Sequence, residues 1–213
     1  MDMENKRFIR VLAISGSLRR SSSNTALAGA AARLAPDTVD VSIYRELAEL
    51  PPFNPDVDGD RAPASVAEFR AQLRACDAVL ISSPEYAHGV PGVLKNALDW
   101  VVGSGELVNK PVALINASGR ATHAWTSLRE TLTVMSARVI VTASITVPLE
   151  GKALDADGIV RDAELSAALR SSLEALALSS SQGRRPESSV ETGSESASLE
   201  KTRRERKSWR APG

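Results

Sequence analysis

The stretch Phe8-Ile9-Arg10-Val11-Leu12-Ala13-Ile14-Ser15-Gly16-Ser17-Leu18-Arg19-Arg20-Ser21-Ser22-Ser23-Asn24 decides how this chain folds. Its first half is an apolar run with the character of a buried strand. Directly after it, Thr25-Ala26-Leu27-Ala28-Gly29-Ala30-Ala31-Ala32-Arg33-Leu34 is rich in Ala and Leu and reads as a helix. Between the two lies a hydroxyl-rich strand-to-helix turn. Amide N–H groups at a helix start lack intrahelical partners, and the helix dipole favours negative charge there. Such a turn is suited to a phosphate. Ser17, Ser21, Ser22, Ser23 and Asn24 can donate further hydrogen bonds, and Arg19 adds a charged fork. A plainer reading of the same residues is a solvated Ser-rich turn with its N-cap at Ser23 or Asn24.

Two other phosphate loops are excluded by their missing residues. The turn has no G-x-x-x-x-G-K-[ST], so the lysine and magnesium-binding hydroxyl of that loop are lacking. It has no G-x-G-x-x-G, so the glycines that press a backbone against a pyrophosphate are lacking too. A loop dominated by side-chain hydroxyls wraps a terminal monoester, which suits the phosphate of FMN better than that of a dinucleotide.

Outward from this turn, strand-like and helix-like segments alternate. Val39 to Tyr44 alternates apolar and polar residues, as an edge strand does. Leu50-Pro51-Pro52-Phe53-Asn54-Pro55-Asp56 is a proline-rich loop. Val66 to Cys76 has helical spacing, with Val66, Phe69 and Leu73 on one face. Ala78-Val79-Leu80-Ile81 and Val112-Ala113-Leu114-Ile115 are short unbroken apolar runs, the mark of central parallel strands. Pro91 to Val102 opens on a proline and reads as a helix. A helix is expected over Trp125 to Met135, a fifth strand over Arg138 to Val147, and a final helix over Asp162 to Leu178. The alternation implies an α/β three-layer sandwich: a five-stranded parallel sheet of order 2-1-3-4-5 with helices on both faces. Ligands bind such sheets at the strand carboxyl ends, where the strand order reverses. The loops after strands one, three and four meet there.

The 213 residues, 43% of them hydrophobic, are enough for one ordinary core. Net charge is zero but unevenly spread: eight of the 26 basic and five of the 26 acidic residues lie from Gly183 onward, leaving the body at −3. A mildly acidic body argues against nucleic acid as the main partner. From Ser179 to Gly213 the chain is rich in Ser, Glu and Arg and reads as a disordered charged tail, so the domain is expected over 1–178. The single cysteine, Cys76, excludes an internal disulfide and reads as a small buried hydrophobe. No apolar run approaches membrane-spanning length and no signal region follows Met1, so a cytoplasmic protein with no membrane contact is expected.

The loops after strands three and four carry the remaining chemistry. In Ser82-Ser83-Pro84-Glu85-Tyr86-Ala87-His88-Gly89-Val90-Pro91-Gly92, Pro84 stiffens the loop and Tyr86 offers a ring to a flat heterocycle. Gly89 and Gly92 allow close backbone approach, and Glu85 is suited to orienting the loop through backbone amides. In Asn116-Ala117-Ser118-Gly119-Arg120-Ala121-Thr122-His123, backbone N–H groups could face the pyrimidine carbonyl of a flavin, and Arg120 could steer an anion. His88 and His123, the two histidines, fall in separate loops of this edge and could shuttle a proton. Without a carboxylate cluster beside them a metal site is not expected.

Three pieces of the chain together resemble the NADPH-dependent FMN reductase family, which has a flavodoxin-like fold and includes quinone, azo-dye and chromate reductases. They are Gly16-Ser17-Leu18-Arg19 with Ser23-Asn24, then Pro84-Glu85-Tyr86, then Val90-Pro91-Gly92-Val93-Leu94-Lys95-Asn96-Ala97-Leu98-Asp99-Trp100. The resemblance spans about Arg7 to Leu178. It implies that Ser17, Arg19, Ser23 and Asn24 hold the FMN phosphate, that Pro84, Glu85, Tyr86 and Gly89 flank the ring, and that Ser118 and Gly119 meet its polar edge. It implies NADPH or NADH as hydride donor and a ping-pong cycle to a small acceptor: a quinone, free flavin, azo compound or metal oxyanion. It also implies a homodimer or tetramer, with the Leu50 to Asp56 loop resembling a segment that reaches the site from a neighbouring subunit. Hydride would pass at flavin N5, so no catalytic side chain is expected. The chain departs from the family at Ala87, where many relatives have Asn, and at Arg120-Ala121-Thr122-His123, where a glycine-rich continuation is common. Two other classes fit the same flavin site: a flavodoxin-type electron carrier, and a flavin-dependent sensor whose basic tail contacts a partner.

Overall fold

Strand β1 (Ile9–Ser15) lies between β2 (Val39–Tyr44) and β3 (Ala78–Ser82) in the computed structural model, which describes residues 8–182. Strands β4 (Pro111–Asn116) and β5 (Arg138–Val139) follow β3, giving the order β2-β1-β3-β4-β5 with every pairing parallel. This is the flavodoxin-like order expected from the sequence. The all-buried pattern of β3 and β4 fits strands covered on both faces, and the alternation of β2 fits its place at the edge.

Successive residues of the central strands feed two separate cores. Leu12, Ile14, Val79, Ile81, Val112 and Leu114 point to one face. There they pack against α2 (Ala64–Ala75), α3 (Gly92–Val102) and α4 (His123–Val134), through Phe69, Leu73, Leu94, Leu98, Leu128 and Leu132. Val11, Ala13, Ala78, Leu80, Ala113 and Ile115 point to the other. They meet α1 (Ser23–Leu34), α5 (Ala156–Arg161) and α6 (Ala163–Gln182). The Ala-rich face of α1 allows close packing: a Cβ at Gly29 would come within 3.2 Å of the Cβ of Ala156 in α5.

Several expectations need correction. The segment expected as one fifth strand, Arg138 to Val147, is broken into β5 and β6 (Ile145–Thr146) by a 3-10 turn over Val141–Ala143. Both pieces pair with β4, so the sheet has six strands. Ser144 makes the break tolerable: its Oγ accepts the Leu114 N–H at 3.1 Å and donates to the Ile140 carbonyl at 2.8 Å, replacing a ladder bond. Helix α5 was not anticipated, and α6 runs four residues past Leu178. Ser180 is buried there and Ser179 accepts a bond from Arg138, so 179–182 belongs to the folded body. The rest of the expected charged tail, from Gly183 on, lies outside the described residues.

The proline-rich loop is folded tightly onto α3. Asn96 accepts the Phe53 N–H at 2.7 Å and donates to Pro51, whose carbonyl also takes the Trp100 indole N–H at 2.7 Å. Farther on, the buried Arg70 guanidinium bridges Asp58 and the Trp100 carbonyl. Cys76 is buried, as expected, and burial pushes its thiol pKa up. Among the described residues, no helix is long and apolar enough to cross a membrane.

Candidate functional site

The carboxyl ends of β1, β3, β4 and β6 open onto one crevice, and its first wall is the Ser-rich turn. Gly16 ties this turn to β3 by donating to the Ser82 carbonyl at 2.8 Å. A Cβ at Gly16 would come within 2.8 Å of Ser83 Oγ, so a larger residue there would push the Ser83 side chain aside. The turn's hydroxyls are largely used on the turn itself. Ser15 Oγ pairs with Thr25 Oγ1 at 2.9 Å, and Ser17 Oγ accepts the Arg19 N–H at 3.3 Å. The N-cap is Ser22, accepting from Thr25, where Ser23 or Asn24 was expected. Asn24 is instead buried against the sheet: its Oδ1 accepts from Ser82 Oγ at 2.9 Å, which leaves its amide nitrogen without a bond to any described residue. The guanidinium groups of Arg19 and Arg20 likewise pair with no described residue. They line a crevice of about 900 Å³, together with Ser17, Ser23, Asn24, Pro84 and Tyr86.

The second wall is a hairpin-like turn. Tyr86 and Gly89 exchange backbone bonds of 3.1 and 2.9 Å, and the two residues between them, Ala87 and His88, adopt left-handed conformations with φ of 49° and 62°. Such a turn prefers Asn-Gly, because side chains other than Asn and Gly are strained there. Gly89 and Gly119 do not line the crevice, and a Cβ at Gly119 would meet nothing within 4 Å. Tyr86 is half exposed at the crevice edge.

Glu85 is the staple between the second and third walls. One carboxylate oxygen accepts the N–H of Ala124 at 2.8 Å, in the first turn of α4, whose own cap residue Thr122 makes no side-chain bond. The other contacts His88 Nδ1 at 3.0 Å. The Ala124 amide first, and His88 second, hold this carboxyl below the usual carboxylate range. His88 in turn meets His123 edge to face, with ring centroids 4.2 Å apart. The two histidines, placed in separate loops by the sequence, are thus neighbours, and neither lines the crevice.

The third wall is held by Asn116, which accepts the Ser118 N–H at 3.1 Å and donates to the Ala121 carbonyl at 3.0 Å. Ser118 Oγ donates to Glu150, a residue that the sequence reading missed. Ser118 first, then the N–H groups of Glu150 itself, Gly119 and Arg120, keep the Glu150 carboxyl below its usual range. Arg45 and Lys152 were missed as well, and both line the crevice beside Arg19 and Arg20. Arg45, Glu150 and Lys152 all follow the carboxyl ends of parallel strands, β2 and β6, and that position was the available signal.

Comparison with known proteins agrees with this architecture. The sequence model of NADPH-dependent FMN reductases matches residues 9–152. An NAD(P)H-dependent FMN reductase of Pseudomonas aeruginosa is 35% identical over 175 residues, covering 80% of this chain and 94% of that protein. A quinone reductase of Escherichia coli is 35% identical over 113 residues, a match covering 52% of this chain and 60% of that protein. Among solved structures, the flavoenzyme NAD(P)H:(acceptor) oxidoreductase of Paracoccus denitrificans superposes with a TM-score of 0.66 at 27% identity, covering 82% of this chain and 98% of that one. The strand order, the crevice at the strand carboxyl ends and these matches agree: the chain belongs to the NADPH-dependent FMN reductase family, oxidoreductases whose cofactors are FMN and NAD(P)H.

Proposed function

We propose that this chain is an FMN-dependent NAD(P)H oxidoreductase that passes electrons by a ping-pong cycle to a small acceptor of the quinone or free-flavin kind. When bound, FMN supplies the hydride chemistry between the nicotinamide and the acceptor. The chain's own residues bind and orient. Ser17, Arg19, Ser23 and Asn24 would hold the phosphate against the amino end of α1, whose dipole favours a dianion. Pro84, Glu85, Tyr86 and Gly89 would set the loop that flanks the ring, with Glu85 acting through the α4 amide and His88 rather than on the substrate. Ser118 and Gly119 would meet the ring's polar edge.

The observation that carries this reading is the set of unpaired donors at one end of the crevice: two guanidinium groups and the Asn24 amide beside a helix start. Glu150 and Asp155 also line this end, but neither pairs with the guanidinium groups among the described residues, so the charged forks stay open to a monoester. The test is spectroscopic. The purified protein, loaded with FMN, should lose its yellow flavin absorbance on adding NADPH without oxygen, and regain it on adding a quinone. A flavin-loaded protein that NADPH and NADH both fail to bleach would refute the oxidoreductase reading.

A further inference from the structure

Glu150 stands where the two ends of the crevice join, lining both the side bounded by Arg19 and the side bounded by Ser118. A tight turn presents it. The Lys152 N–H returns to the Leu149 carbonyl at 3.0 Å, and Gly151 supplies a φ of 74° that other residues rarely adopt. The root of the turn is fixed: Leu149 is buried, and its N–H donates to the Ala117 carbonyl at 3.0 Å. The carboxylate thus reaches across to the third loop while remaining exposed to solvent.

Arg19, Arg20, Arg45, Arg120 and Lys152 line the same crevice, yet Glu150 forms an ion pair with none of them among the described residues. It is held by the third loop instead: it accepts from the Ser118 hydroxyl, and the nearby N–H groups of Gly119 and Arg120 help to lower its pKa, the Arg120 N–H itself donating to Ser118 Oγ at 3.2 Å. These are the donors that would face a pyrimidine carbonyl. We propose that Glu150 is an internal competitor for the third-loop donors and sets how tightly the pyrimidine end of a flavin is held. The inference rests on the functional reading above. Charge-assisted hydrogen bonds are roughly twice as strong as neutral ones, so a carboxylate outcompetes a neutral flavin carbonyl unless it swings aside. The flavin's apparent affinity is then reduced by the fraction of molecules in which Glu150 is off the donors.

The competition concerns the ring, which FMN and riboflavin share. Simple charge repulsion concerns the phosphate, which only FMN carries. Flavin-free unaltered protein, E150Q and E150A are therefore titrated with both ligands, following the loss of flavin fluorescence. Both variants should bind both flavins roughly tenfold tighter than the unaltered chain. Variants that bind riboflavin no better than the unaltered chain overturn the proposal, including the case in which only FMN binding improves. If the unaltered chain binds FMN and the variants gain nothing, the proposal falls and the functional reading survives. If the unaltered chain binds neither flavin, both fall together.

Discussion

The first and third loops of this crevice are built from similar small polar residues but end in opposite states. In the first, the hydroxyls of Ser15, Ser17 and Ser22 are spent on shaping the turn, and the strongest donors, Arg19, Arg20 and the Asn24 amide, carry no bond to any described residue. In the third, Asn116 shapes the turn, and the Ser118 hydroxyl that it presents is bound by Glu150. Loop composition alone does not distinguish them. The difference lies in what the chain places opposite: cations Arg45 and Lys152 beside the first loop, and a carboxylate against the third. One end of the crevice is prepared for an anion; the other must exchange one partner for another.

The largest expected effect removes the asymmetry from the anion side. R19A should weaken FMN binding about tenfold to a hundredfold, the range for losing a charge-assisted bond, while riboflavin binding changes little. Equal loss for both ligands would move Arg19 away from the phosphate. Next, G16A should lower stability by about 1 kcal/mol in denaturant unfolding, because its methyl would press on Ser83 and on Leu94, with Cβ distances of 2.8 Å to Ser83 Oγ and 3.1 Å to Leu94 Cδ2. It tests whether the first loop owes its shape to contact with the second. In the opposite direction, A87N should raise stability by roughly 0.5 kcal/mol, since Asn tolerates the left-handed backbone that Ala87 is forced to adopt. No gain would mean that the turn's strain is relieved elsewhere.

The smallest effect is a pH dependence. The Glu85 carboxyl is held below its ordinary pKa of 4.5, so the folded state favours its charged form. Its contribution to stability is fully present above that ordinary value and is lost as pH falls through the lowered one. E85Q should therefore flatten the acid side of the stability profile below about pH 4.5 and leave the neutral side lower but parallel. A profile of unchanged shape would show that the link between the second loop and α4 does not depend on charge.

Most of the fold was legible because its signals are local. Unbroken apolar runs marked β3 and β4, alternation marked the edge strand β2, and Phe69 and Leu73 at helical spacing marked the buried face of α2. The fifth strand was misread because Ile140 to Val147 keeps strand-like residues, while Ser144 replaces a ladder bond with its side chain. The end of α6 was misread because Ser179 and Ser180 look like the start of a polar tail; their burial comes from tertiary contacts that no local window contains. At the site, Ser17, Arg19, Ser23, Asn24, Pro84, Glu85, Tyr86 and Ser118 line the crevice, because each follows the carboxyl end of a strand. Glu150 was missed because its significance is a contact across 32 positions to Ser118, and the left-handed pair Ala87 and His88 carries no glycine or asparagine to announce it.

The central claim is that the first loop receives a phosphomonoester, and a calorimetric comparison of two ligands tests it most directly. Flavin-free protein titrated with FMN and with riboflavin at physiological salt should bind FMN at least about a hundredfold more tightly, the contribution expected of a charged fork and a helix start acting together. Equal affinities for the two would contradict the account, because the phosphate would then be making no contact with the turn between β1 and α1.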